Sequence, residues 1–350
     1  MKLKKLLLAT ILAIPAMGYC GLLDWLTGYP EVKAKIEKRL EEKYQGDKFE
    51  VWDVSYSSNL GGYNFKAKDL SYKDLESGGS YYEKSNKVVD NFGNAKQAMD
   101  WKALFRSYVD AVSTNNVIRA SIDGANPVDG EYQKPISEMR KTLAVLFNNS
   151  IPMKEKIKQR HEYIRVYNTI YVDAPKTPQG MLKVLEMIEN INNYFRSLHL
   201  YSYELEVAVY DLPKGLTFDK YIDEAVDKNI DYNWSDFEND GDIQKYAWGW
   251  LRIYGCEKNS IEKYCKTYFG IKDEQKRQNA IFRYSTADRI HSLADIAREF
   301  HLFKNYGKPT VPYWRKQDNP DDLVWIAVRR EYIPLIDTQL YKQVLQLDNK

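Results

Sequence analysis

Apolar residues recur along the chain in two different periods, and the places where the period changes divide it into elements. Residues 30–45, PEVKAKIEKRLEEKYQ, place Val32, Ile36, Leu40 and Tyr44 four apart with charges between them. That spacing predicts an amphipathic helix opened by Pro30, whose missing N–H costs nothing at a first helical position. The period then drops to two. KFEVWDVSYS puts Phe49, Val51, Asp53 and Ser55 on one face and Trp52, Val54 and Tyr56 on the other, which predicts a strand. The turn residues NLGG and the alternating YNFKAKDL complete a β-hairpin. Residues 71–94 are rich in Ser, Gly, Asn, Asp and Lys and read as a long loop.

The middle of the chain alternates between the two periods. A helix is expected over 94–113 with Ala98, Trp101, Leu104, Phe105 and Val109 in register, then a short strand at VIRASI, then a helix from Ile136 to Phe147. EYIRVYNTIYVDA separates Tyr163, Arg165, Tyr167, Thr169 and Tyr171 from Ile164, Val166, Ile170 and Val172, the clearest strand of the sequence. Pro178 opens a helix with apolar positions at 181/182, 185, 188, 191/192 and 195, and LYSYELEVAVYDL follows as a strand. This strand–helix–strand order reads as one crossover unit.

After Gly215 five segments have helical period: TFDKYIDEAVDKNI, DIQKYAWGWLRIYG, SIEKYCKTYFG, the run 274–307, and LIDTQLYKQVLQL. DLVWIAVRREYIP reads as one late strand. The expected class is therefore α+β, with a β-rich N-terminal half carrying amphipathic helices and a helix-rich C-terminal half. A boundary at PKGLT, 213–217, would separate an α+β domain over 19–213 from a mainly helical domain over 214–350.

The first 18 residues stand apart from this scheme. Lys2, Lys4 and Lys5 precede a nine-residue apolar core, Leu6 to Ile14, and then Pro15 and small residues. This is the layout of a secretory signal peptide, and it is shorter than the roughly 20 apolar residues a spanning helix needs. Ala16-Met17-Gly18 fits a small-x-small cleavage site. Met17-Gly18-Tyr19-Cys20 also resembles a bacterial lipobox, in which Cys20 would take the lipid, although Tyr19 stands where Gly or Ala is usual. Either route predicts an exported protein, periplasmic or secreted, whose membrane attachment would come only through Cys20.

Composition narrows the partners. Without the three leader lysines the 51 basic residues fall to 48, against 49 acidic ones. A chain so balanced gives no reason to expect a nucleic-acid partner, which would need a clustered basic face. The densest basic run, KEKIKQR at 154–160, reads as a solvated helix face. Tyrosine is the unusual feature, at 28 residues. Its rings can serve strand faces and core edges, or can bind a glycan or an envelope protein where they lie side by side at the surface.

Cys256 and Cys265 lie in YGCEKNSIEKYCKTYFG. On one continuous helix they would be about 13 Å apart, beyond the reach of a disulfide at about 7 Å. Gly255 as a helix stop and Ser260 as a new N-cap would fold the chain back, and in an oxidising compartment Cys256–Cys265 is the expected bond.

Three further features could carry chemistry. On an expected helix over 286–303, Asp288, His291 and Asp295 share one face at i, i+3 and i+7, an acid–base arrangement or a solvated salt-bridge ladder. DFENDGDIQKYA places Asp236, Glu238, Asp240 and Asp242 around Gly241 in a calcium-loop pattern, but Ala247 stands where the bidentate Glu belongs. The loop therefore reads as an acidic helix cap and no cofactor is expected, with calcium in a solvent-completed site as the alternative. Trp248, Trp250 and Tyr254 form an aromatic stripe near Tyr246 that reads as core. HExxH, GxSxG and phosphate-loop motifs do not occur in the sequence. The functional expectation is an exported envelope protein acting as a binding or structural component. The alternatives are an envelope hydrolase built on His291 with Asp288 or Asp295, and a periplasmic partner that neutralises another protein.

Overall fold

The computed structural model of the 350-residue chain describes residues 28–45, 47–72, 75–124, 136–218, 245–256, 285–287, 290–304, 306–307 and 332–348. They form an α+β protein of two compact units. The first comprises the described residues through Gln97 together with 144–152; the second holds the described residues of 98–143 and those from Met153 onward.

In the first unit, helix α1 (Pro30–Tyr44) buries Val32, Ile36, Leu40 and Tyr44, the stripe its spacing predicts. Strands β1 (Phe49–Ser57), β2 (Gly62–Asp69), β3 (Glu76–Tyr82) and β4 (Lys87–Asp90) form an antiparallel meander in that order. Phe49, Val51, Phe65, Ala67, Tyr81 and Phe92 meet the helix stripe in one core. The Tyr44 hydroxyl donates to Asp90 Oδ1 at 2.6 Å and accepts from the Gly93 amide at 3.0 Å.

Two sequence expectations change here. The segment 71–94, read as a loop, contains β3 and β4. Its small polar residues become strand because β2 offers a full ladder of partners, and strand formation depends more on such pairing than on propensity. The alternation in β1 is also broken. The register slips by one residue between Trp52 and Ser55, and Asp53 takes a left-handed conformation with φ 55°. Such a bulge moves every later side chain to the other face. Tyr56 thereby joins the face of Phe49 and Val51 rather than opposing it.

In the second unit a mixed sheet joins β5 (Asn116–Gly124), β6 (Ile164–Asp173), β7 (Ser202–Tyr210), β8 (Ala247–Cys256), β10 (His301–Phe303) and β11 (Tyr332–Pro334). β9 (Ser285–Thr286) is attached to β8. β6 and β7 are parallel, and helix α6 (Pro178–Ser197) connects them as the expected crossover. The Thr177 hydroxyl caps α6 by accepting from the Gly180 amide at 3.1 Å, and Met181, Val184, Leu185, Ile188, Ile191 and Phe195 form its buried stripe. Phe195 packs on Trp101 and Tyr203 with ring centroids 5.2 and 5.4 Å apart, and Trp101 Nε1 donates to Asn168 Oδ1 at 2.7 Å. The remaining helices are α2 (Phe92–Ala103), whose residues fall in both units, α3 (Arg106–Asp110), α4 (Ile136–Leu146), α5 (Met153–Arg160), α7 (Leu293–Glu299) and α8 (Gln339–Asp348).

The stretch expected to be helical at 242–255 is strand from Ala247 onward. It pairs with β7 on one side and with β10 and β9 on the other. Gly255 does not stop a helix. It sits opposite Tyr203, and a Cβ there would lie 1.9 Å from Tyr203 Cε1, so the tyrosine ring occupies the space that glycine leaves. Strands on both sides of 213–217 thus belong to one sheet. The expected single helix over 286–303 is also absent. Ser292 caps α7, and Phe300 leads directly into β10.

Candidate functional site

The β7–β8 register decides where the charges of the second unit gather. Glu204 pairs with Tyr254, Glu206 with Arg252, and Ala208 with Trp250, so all six side chains lie on the sheet face opposite Leu205, Val207, Leu251 and Ile253. Glu204 and Arg252 are 6% and 4% exposed. An Arg252 Nη2 hydrogen bonds and ion-pairs with Glu204 Oε1, and its Nε lies 3.9 Å from Glu206 Oε2. Trp250 Nε1 donates to Glu206 Oε1 at 2.8 Å. Burial pushes the Glu204 carboxyl above the ordinary range, against the pull of the Arg252 charge and a hydrogen bond from Tyr254. His301 stacks on Trp250 with centroids 5.8 Å apart, and Tyr332 lies 4.1 Å from His301 on its own centroid. One cation thus serves the buried Glu204 and the half-buried Glu206. Such a network rigidifies a sheet, because removing the cation strands the Glu204 charge in a dry environment.

In the first unit the chemistry is aromatic and reaches water at one end. Tyr56 pairs with Tyr63 and Tyr63 with Tyr81, which places the three rings in a row across β1, β2 and β3. Their centroids are 5.3 and 6.5 Å apart, and Tyr29, just before α1, meets Tyr63 edge-on at 5.2 Å. The row runs from buried Tyr81 through half-buried Tyr63 and Tyr29 to Tyr56, which is 54% exposed. Leu60 in the adjoining hairpin turn is exposed too. The Asp53 bulge is what delivers Tyr56 to this row.

The residues singled out from the sequence are distributed as follows. Cys20, Cys265, Asp288 and the acidic loop Asp236, Glu238, Asp240 and Asp242 lie outside the described residues. Cys256 ends β8 opposite Ser202. His291 is exposed and precedes α7. Its backbone N–H donates to Asp295 Oδ2 at 3.0 Å, and the Ser292 hydroxyl donates to the same oxygen at 2.9 Å. Ser292, the N-cap of α7, in turn accepts from the Asp295 amide at 3.3 Å, so Asp295 closes the first turn of the helix. Arg298, the His291 amide and Ser292 together hold its carboxyl down at about 2. Trp248, Trp250 and Tyr254 are buried, as the core reading of that stripe expects, but on a strand. The Glu204–Arg252–Glu206 cluster was visible in the sequence only as alternating Glu in YELEV. Its arginine partner comes from 48 residues further on, and the helical reading of 242–255 concealed it.

No protein-family model matches this chain, and no curated protein matches it. Among solved structures, the crystal structure of a DUF5037 family protein from Ruminococcus gnavus ATCC 29149 is similar to it at 20% sequence identity and a TM-score of 0.30. The match covers 51% of this chain and 75% of that one. No helix among the described residues is long and apolar enough to cross a membrane.

Proposed function

We propose that the protein is an exported component of a bacterial cell envelope that binds a glycan through the tyrosine row of its first unit. The observation that carries this reading is the contiguity of Tyr29, Tyr63 and Tyr56, with neighbouring centroids 5.2 and 5.3 Å apart and Tyr56 open to water. Scattered exposed aromatics need no explanation, whereas adjoining ones form a surface. Each ring offers a flat apolar face for sugar C–H groups and a hydroxyl for sugar oxygens. Export rests on the charged, apolar and small-residue order of residues 1–18. The periplasmic or secreted address follows from that leader, and with it the oxidising compartment that the Cys256–Cys265 disulfide needs; Cys20 takes a lipid only if processing uses the lipobox-like stretch rather than the small-x-small site before Tyr19.

The binding reading is tested by titrating the mature protein with soluble envelope polysaccharide and peptidoglycan fragments while following tyrosine fluorescence. Saturable binding by the native protein that falls at least tenfold in Tyr56→Ala supports it. Binding that Tyr56→Ala leaves unchanged, or none to any envelope glycan, overturns it. Intact mass of the native protein reads the export prediction directly, because a chain still beginning at Met1 rules out the leader.

A further inference from the structure

The line of the tyrosine row continues past Tyr81. The β3–β4 register pairs Tyr81 with Val88, so Tyr56, Tyr63, Tyr81 and Val88 follow one another across all four strands of the first unit. Neighbouring strands lie about 4.8 Å apart, so the line spans about 14 Å. Val88 lines an open pocket of about 480 Å³ between the second half of α1 and the turn that joins β3 to β4. Asn86, at φ 51° in that turn, ties the pocket to the row. Its Oδ1 accepts from the Tyr81 hydroxyl and from Arg39 Nε, both at 3.1 Å.

Three cations line the pocket: Arg39 and Lys43 from α1, and Lys87 from the first position of β4. Two carboxylates stand against them, so one positive charge is left over. Glu42 pairs with Arg39 at 2.6 Å, but the two side chains are 46% and 38% exposed. A pair so exposed holds weakly, and an incoming anion can displace it. Asp90 holds Lys43 at 2.7 Å, yet its side chain is buried and is also tied to the Tyr44 hydroxyl and the Phe92 amide. It therefore belongs to the core rather than to the pocket wall. Lys87 is exposed and has no acidic partner among the described residues.

We propose that the pocket of Arg39, Lys43 and Lys87 takes an acidic group, a carboxylate or a phosphodiester, of the glycan that lies on the tyrosine row. This rests on the glycan reading above and narrows it to anionic glycans. Either group spreads one negative charge over two oxygens, which guanidinium and ammonium groups meet with charge-assisted hydrogen bonds. The pocket faces water, so the attraction is screened by salt and weakens at high ionic strength.

The test titrates the mature protein calorimetrically with soluble envelope polysaccharide and peptidoglycan fragments in three forms: untreated, with carboxylates reduced to alcohols, and with phosphate removed by cold hydrofluoric acid. The wild type binds the untreated form about tenfold more tightly than one of the two neutralised forms, and the form that loses affinity identifies the acidic group. Lys87→Glu, checked for folding by circular dichroism, loses that preference and keeps its affinity for the neutralised form. Tyr56→Ala weakens binding to all forms alike. Equal wild-type affinity for the three forms, or a Lys87→Glu that keeps the preference, overturns the anion pocket and leaves the tyrosine row standing. A Tyr56→Ala that keeps both affinity and preference overturns the row instead. Absence of binding to every form overturns both.

Discussion

Replacing Arg252 by methionine keeps most of the side-chain volume and removes the cation that Glu204 and Glu206 share. The side chains of Arg252 and Glu204 are 5% and 8% exposed, so water cannot take over the lost partner. Removing one member of a buried ion pair costs about 3–5 kcal/mol. Glu206 keeps the Trp250 indole at 2.8 Å, so the loss concentrates on Glu204. The expected deficit near pH 7 is about 4 kcal/mol, about three decades in the folding constant. Urea unfolding followed by indole fluorescence measures it, since Trp248 and Trp250 flank the site on β8. The pH dependence has a definite sign. Burial already raises Glu204, and loss of Arg252 removes the largest opposing influence, so its folded pKa rises further. An acid with a raised folded pKa destabilises only when ionised. The penalty is absent below the unfolded value of about 4.3 and grows as pH climbs through the folded value. The deficit of Arg252→Met is therefore smaller at about pH 5 than at about pH 8, and adding Glu204→Gln restores part of it. A deficit under about 1 kcal/mol with no dependence on pH is the value of an exposed pair and would refute the argument.

Two more substitutions test local features of the second unit. Ser292→Ala removes the N-cap of α7 and is expected to cost about 1 kcal/mol, read as faster amide exchange at Ile296 to Glu299. In the same variant Asp295 rises from about 2 toward the ordinary value, seen by carboxyl NMR. In the wild type the stability from that depressed carboxyl is complete above the ordinary value of about 4 and is lost as pH falls through about 2. Gly255→Ala pushes a methyl group into the Tyr203 ring and breaks the 2.8 Å hydrogen bond from its hydroxyl to Asn192, a loss of about 2–3 kcal/mol. A neutral Gly255→Ala in denaturant titration contradicts the packing described for that strand.

The elements that were legible in the sequence are those whose pattern reflects burial directly. α1 and α6 bury the residues their spacing names, and β6 divides its two faces as written. The misreadings have a common cause, in that long-range pairing overrode local pattern. AWGWLRIYG carries aromatics at i and i+4, which a helix and a strand both satisfy, and only the partners β7 and β10 decide between them. Ser77 to Ser80 carry turn residues, yet their backbone is paired by β2 on one side and, at Gly79 and Ser80, by β4 on the other. The Asp53 bulge left no composition signal, and because of it the tyrosine row could not be assembled from alternation alone.

The β7–β8 pairing has a consequence for how this chain can change over time. Tyr210 and Ala247 are neighbours across the ladder, so the chain that leaves the sheet at the end of β7 re-enters it one strand away. For a flexible detour the entropy of closing such a loop rises only with the logarithm of its length, about 0.6 kcal/mol for each doubling. Insertions beyond Phe218 are therefore cheap for the sheet, whereas Leu212 and Phe218 belong to the core around Tyr210 and Trp250 and have to stay. The sheet thus provides a port at which natural variation or a protein engineer can lengthen the chain, so long as those two side chains keep their places.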